Sequence, residues 1–160
     1  MNKIILVVTL FLIFAVVIGI ARAEEPNWDK IVPIVIQIES SGNPYAVSED
    51  GCIGLMQISR AVFIEFCEKE NDDYYTSDLE SYDFILFNPD RNKEIGTWYL
   101  KRIWNHYLLH YKLEQNIENL LIAYNFGIGN LVKYRKGKVK LPAETRNYLL
   151  RYYKLAKVKR

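Results

Sequence analysis

The sequence predicts an all-α, or mainly α, single domain, and three observations carry that prediction. Apolar residues recur at three- and four-residue spacing along most of the chain. Asn, Ser and Pro stand just ahead of the periodic stretches, where helices open. No segment alternates apolar and polar residues as a strand does, and no internal repeat is present. With 160 residues, half of them hydrophobic and a quarter charged, the chain is long enough for one core of its own. The composition excludes disorder, collagen and a multi-span membrane protein.

The near-continuous apolar run Ile31, Val32, Ile34, Val35, Ile36 and Ile38 predicts a helix buried on most sides, with Pro33 in its first turn or at a kink. Ser41-Gly42-Asn43-Pro44 ends it. Residues 45–58, with Gly51 and Gly54, read as a loop, and Ser59 caps a helix through Ala61, Val62, Phe63, Ile64, Phe66 and Cys67. Residues 68–82 are polar and read as a surface connection. Asn88 and Pro89 supply the cap and first residue of the longest helix, whose face holds Ile95, Trp98, Tyr99, Arg102, Ile103 and Tyr107. Asn116 opens another helix, with Ile117, Leu120, Leu121 and Tyr124 inward and Gly127 and Gly129 ending it. Leu141-Pro142 precedes the last helix, where Tyr148, Leu149, Tyr152 and Leu155 repeat at helical spacing.

Ahead of this domain, Lys3 precedes an apolar run from Ile4 to Ile20, followed by Ala21-Arg22-Ala23. That order is a secretory signal, with cleavage before Glu24; the run is also long enough to stay as an N-terminal anchor helix. Either way residues 24–160 face outward, in the periplasm or cell envelope. Residues 131–160 hold eleven Lys/Arg and one acid, Glu144, whereas residues 24–130 hold eight basic and eighteen acidic residues. The basic end suits cell-wall polymers or anionic lipid rather than nucleic acid, or is simply a solvated helix. In an oxidising compartment Cys52 and Cys67 could pair, closing a loop that stabilises by about 3 kcal/mol, or sit as two small hydrophobes.

Glu39 is the most informative residue. It ends the most apolar helix, beside Ile36 and Ile38. A carboxyl placed there is desolvated, which raises its pKa and suits it to donate a proton near neutrality; the alternative is a helix-end Glu turned to solvent. Twelve tyrosines and three tryptophans fill cores or line sugar-binding grooves.

The string Glu39-Ser40-Ser41-Gly42-Asn43-Pro44-Tyr45-Ala46-Val47-Ser48, followed by Gly54-Leu55-Met56-Gln57, resembles the lytic transglycosylase domain of the goose-lysozyme-like type. Asn88-Pro89 with Asn92 and Gly96, Ala123-Tyr124-Asn125-Phe126-Gly127, and Leu141-Pro142 with Glu144, Thr145 and Tyr148 are similar to that family's later motifs, in its order. The resemblance covers about residues 32–153. It implies a lysozyme-like fold with a substrate groove, no cofactor and no metal. Glu39 is then the catalytic acid and afterwards the base, and Ser40 positions the sugar near the leaving group. Met56 and Gln57 line the groove, Tyr124 and Asn125 contact sugar, and Tyr148 orients the Glu39 carboxyl. Cys52, Phe126 and Gly42 depart from the family's usual residues without removing a proposed catalytic group.

Retaining glycosidases place a second carboxyl about 5 Å from the acid and inverting ones about 6.5–9.5 Å. Apart from Glu144, to which the resemblance gives no catalytic role, no second acid belongs to the matched motifs; Glu49 and Asp50 in the loop carry no assignment. The resemblance implies cleavage of the β-1,4 bond between N-acetylmuramic acid and N-acetylglucosamine, with the sugar's own 6-hydroxyl closing a 1,6-anhydro ring. Peptidoglycan glycan strands would be the partner, together with an envelope-spanning secretion or pilus machine, and the membrane if the N-terminal helix is retained. A water-using muramidase of the same fold and a non-catalytic wall-binding assembly protein are the alternatives. His106 and His110 lie one turn apart without a third ligand in sight, which favours a surface or packing role over a metal site.

Overall fold

The computed structural model describes residues 24–70 and 82–158. The expected leader, residues 71–81 of the polar connection, and Lys159 and Arg160 lie outside the described residues. Among the described residues the fold is helical, with no strand and only isolated bridges joining Val47 to Ile53 and Ile53 to Ile58.

Helix α1, Trp28–Glu39, starts at Asn27, whose side chain accepts a hydrogen bond from the Lys30 amide at 3.2 Å. It begins earlier than its apolar density suggests, so Pro33 lies in the helix interior and not in its first turn. Asp29 and Pro33 are both exposed, so the carbonyl that Pro33 cannot serve lies on the side of the helix open to solvent. The other side buries Ile31, Val32, Ile34, Val35 and Ile38. Each such side chain taken from water stabilises by about 1.5–3 kcal/mol.

Helix α2, Arg60–Glu70, opens under the expected Ser59 cap, whose hydroxyl accepts from the Val62 amide at 3.4 Å. A short helix that the sequence reading missed, α3 (Tyr82–Phe87), leads into α4 (Pro89–Arg102). The Asn88 side chain accepts from the amides of Asp90 and Arg91, as its place before Pro89 predicts. Past Arg102 the chain widens into a π-helical segment, Ile103–Tyr107, then one more α-turn, α5 (Leu108–His110). Helix α6, Ile117–Phe126, is capped by Asn116, which accepts from the Asn119 amide at 2.8 Å. Gly127, at φ +84°, ends it. Gly129 does not act as a stop: helix α7, Ile128–Arg135, starts at once and contains it, because Gly127 alone turns the chain. Helix α8, Ala143–Val158, packs on α1 and α6 and turns Tyr148 and Tyr152 into the core.

The loop between α1 and α2 is held by α4. Asn92 is fully buried. Its Nδ2 donates to the carbonyls of Ile53 at 2.8 Å and Leu86 at 2.9 Å, and its Oδ1 accepts from the Met56 amide at 2.8 Å. Leaving one such buried group unpaired costs about 1–3 kcal/mol. One turn on, Gly96 leaves a notch for Met56: a Cβ there would lie 2.4 Å from the Met56 sulfur. Gly54, at φ +79°, lies so close to Asn92 that a Cβ would fall 2.2 Å from Nδ2. The Asn92/Gly96 pair in the sequence is therefore a docking face for the loop. Cys52 and Cys67 are separate thiols, Cys67 within the core and Cys52 half-buried in the loop, so no bridge joins them.

Candidate active site

Glu39 is the last residue of α1, partly enclosed where α8 crosses. The Tyr148 hydroxyl donates to its Oε1 at 2.8 Å, a bond spanning 109 positions of sequence. Burial is the main cause that pushes the Glu39 pKa up from 4.5 to about 7. The Tyr148 bond and the Arg151 charge oppose the rise, and Glu144 reinforces it. Glu144 and Arg151 stand about one turn before and after Tyr148 on α8, so one helix fixes all three influences. Arg151 carries no motif signal; its spacing from Tyr148 is the only hint of it in the sequence.

Burial, then the charge of Glu39, holds the Tyr148 phenol well above its ordinary value, so at neutral pH it is a fixed donor. Its hydrogen is directed at Glu39 Oε1.

The remaining expected site residues fall into two groups. Ser40, Met56 and Gln57 build the loop. The Ser40 hydroxyl donates to the Leu55 carbonyl at 2.9 Å and accepts from the Gly42 amide at 3.2 Å. Gln57, at φ +48°, donates from Nε2 to the carbonyls of Gly54 at 3.0 Å and Ala46 at 3.2 Å. Met56 corrects the expectation of a groove-lining side chain: it is 0% exposed, seated in the Gly96 notch. Tyr124 and Asn125 come from the end of α6. The Tyr124 hydroxyl donates to the Met56 carbonyl at 2.8 Å, and its ring leans on Tyr99 with centroids 5.7 Å apart. Met56 is thus gripped on both backbone atoms, by Asn92 on one side and Tyr124 on the other. Asn125 Oδ1 is buried with no partner among the described residues. The rings of His106 and His110 stack on one another at 6.1 Å, and no group of three metal-ligating residues occurs among the described residues.

The structure is thus a mainly helical, lysozyme-like domain in which burial raises the Glu39 carboxyl to about 7 and the Tyr148 phenol holds one of its oxygens. The chain belongs to the transglycosylase SLT domain family, whose pattern it matches over residues 17–147. It is 33% identical over 125 residues to a membrane-bound lytic murein transglycosylase C of Photorhabdus laumondii, covering 74% of this chain and 32% of that protein. It is 32% identical over 117 residues to a protein of the same name from Pectobacterium atrosepticum, covering 66% of this chain and 29% of that one. Against a membrane-bound lytic murein transglycosylase E of Buchnera aphidicola, identity is 28% over 105 residues, covering 66% of this chain and 46% of the other. The chain spans about a third of the length of the type C relatives it matches.

Proposed function

We propose that this chain is a lytic transglycosylase of the cell envelope that cuts the β-1,4 bond between N-acetylmuramic acid and N-acetylglucosamine in peptidoglycan. The observation that carries this reading is the Glu39 carboxyl, with its pKa raised to about 7 and Tyr148 fastened to one of its oxygens. Family membership and the names of the relatives support it.

Glu39 donates its carboxyl proton to the glycosidic oxygen as the C1–O bond breaks and N-acetylglucosamine leaves. The acetamido group of the muramic residue steadies the positive charge at C1, the role a second carboxylate has in other glycosidases. The ionised Glu39 then takes the proton of the 6-hydroxyl as that oxygen bonds to C1. The 1,6-anhydro ring closes, the acid is regenerated and no water is consumed. Tethering the nucleophile to the reacting sugar gives it a high effective molarity over solvent. A carboxyl with a pKa near the working pH suits both proton transfers. Tyr148 keeps the carboxyl in place between them, and Asn125, at the end of α6, contacts the sugar. Ser40 and Gln57 act on the sugar through the loop they shape.

The reaction needs no cofactor. The leader, cleaved before Glu24 or kept as an anchor, delivers residues 24–160 to the envelope, where the glycan strand is the substrate and an envelope-spanning secretion or pilus machine the recruiting partner. Mass analysis of purified peptidoglycan digested by wild type and Glu39→Gln tests the reading. Anhydro-muropeptides from wild type alone are expected. Products heavier by one water would make the chain a muramidase, and equal digestion by Glu39→Gln would remove Glu39 from the chemistry.

A further inference from the structure

Helix α8 contributes Tyr148 to the site from one side, and its opposite side carries a feature the reaction does not use. Leu150 is 68% exposed and Tyr153 42% exposed, with Arg146, Lys154 and Lys157 also at the surface. At 100° per residue these five side chains fall within about 100° of one helix face. No acid interrupts this sector. Glu118, whose charge acts on Tyr153, is already paired with Arg135 at 2.8 Å. An aliphatic and an aromatic side chain inside a cationic stripe form the pattern of a helix lying in a membrane interface.

We propose that this face of α8 docks on an anionic lipid surface, with Leu150 and Tyr153 entering the headgroup boundary and Arg146, Lys154 and Lys157 meeting lipid phosphates. Two observations support lipid over other partners. A soluble polyanion would satisfy the cations but gives no reason for the exposed Leu150 at the centre of the stripe. Finally, Tyr148 lies about 160° around the helix from Leu150, so lipid on the stripe leaves the Glu39 side of the helix uncovered. The proposal is independent of the chemistry assigned to Glu39.

The test uses residues 24–160. Among the described residues the buried hydrophobic core runs from Ile31 to Tyr152, so this form carries it, and its fold is checked by circular dichroism. Sedimentation with vesicles of phosphatidylcholine containing a third phosphatidylglycerol is compared with pure phosphatidylcholine. Binding to the anionic vesicles alone is expected. Lys154→Glu/Lys157→Glu should weaken it at least about tenfold, since each cation near such a surface counts for about a fivefold change. Leu150→Gln should weaken it several-fold while leaving binding to soluble poly(glycerol phosphate) unchanged. Equal binding to both vesicle types, no binding, or binding that both variants retain would overturn the proposal. Loss of vesicle and polymer binding together in Leu150→Gln, with the fold intact, would overturn it in favour of a polyanion site.

Discussion

Two partly buried carboxylates among the described residues each accept a hydrogen bond from a tyrosine, and they differ in what else touches them. Glu65 on α2 takes its bond from Tyr107, and it also meets the Arg102 guanidinium at 2.9 Å. Glu39 takes its bond from Tyr148, but no cation touches it among the described residues; Arg151 acts on it only from a distance. Burial then decides the charge state: Glu39 keeps its proton to about pH 7, whereas the pair at Glu65 ties α2 to α4 and the π-helical segment. A phenol orients a carboxyl and leaves its proton available. A guanidinium in contact turns the carboxyl into a structural strut.

Replacing each acid should separate the two most widely. Glu39→Gln is expected to lower cleavage by at least about 10³-fold, the upper range for a lost general acid–base. It should also stabilise the fold. Folded Glu39 binds its proton more tightly than the unfolded chain does, so wild-type stability falls as pH rises from 4.5 to about 7. The shift corresponds to about 3 kcal/mol. Urea unfolding should therefore show little difference between wild type and variant at pH 4.5, and the variant ahead by roughly that amount at pH 8. Glu65→Gln should do the reverse. It should lose about 1.5–3 kcal/mol with its charged hydrogen bond and keep cleavage within about twofold. An inactive, fully stable Glu65→Gln would break the contrast.

How much of this contrast the sequence discloses depends on the range of each interaction. The caps at Ser59, Asn88 and Asn116 were legible because each side chain bonds backbone two or three residues away. The desolvation of Glu39 was legible from Ile36 and Ile38 beside it. The start of α1 was not, because the apolar run begins a turn later than the Asn27 cap that opens the helix. Gly129 looked like a second stop because a glycine is the same letter whether or not its φ is positive, and only Gly127 needs that freedom. Met56 sits in a motif beside Gln57, yet its burial depends on Gly96, forty residues on. The Tyr148–Glu39 bond was reachable only through family resemblance, since no local rule joins α1 to α8. The Arg102–Glu65–Tyr107 strut left no signal in pattern or motif.

The tyrosines offer a finer test of the same contrast. Tyr148→Phe removes the strongest influence holding the Glu39 pKa down, so the alkaline limb of the pH–rate profile should move above pH 7. Cleavage below that limb should fall by about tenfold, the loss of one orienting hydrogen bond to a charged or reacting group. Tyr107→Phe should leave the profile where it is. A profile that moves equally in both variants would mean that the limb does not report Glu39.

The smallest expected effects come from the two charges flanking Tyr148. Arg151→Gln should raise the limb, because a cation that favours the ionised acid is gone, and Glu144→Gln should lower it, because a repelling anion is gone. Arg151 is the stronger influence, so its shift should be the larger of the two and still smaller than that of Tyr148→Phe. Both side chains are exposed, so about 0.5 M salt, with a Debye length of only a few ångströms, should erase their shifts. The Tyr148 shift should survive that salt, because a direct hydrogen bond is not screened. Shifts from all three positions that vanish together in salt would mean that Tyr148 acts on Glu39 through the general field of α8 and not through the bond at Oε1.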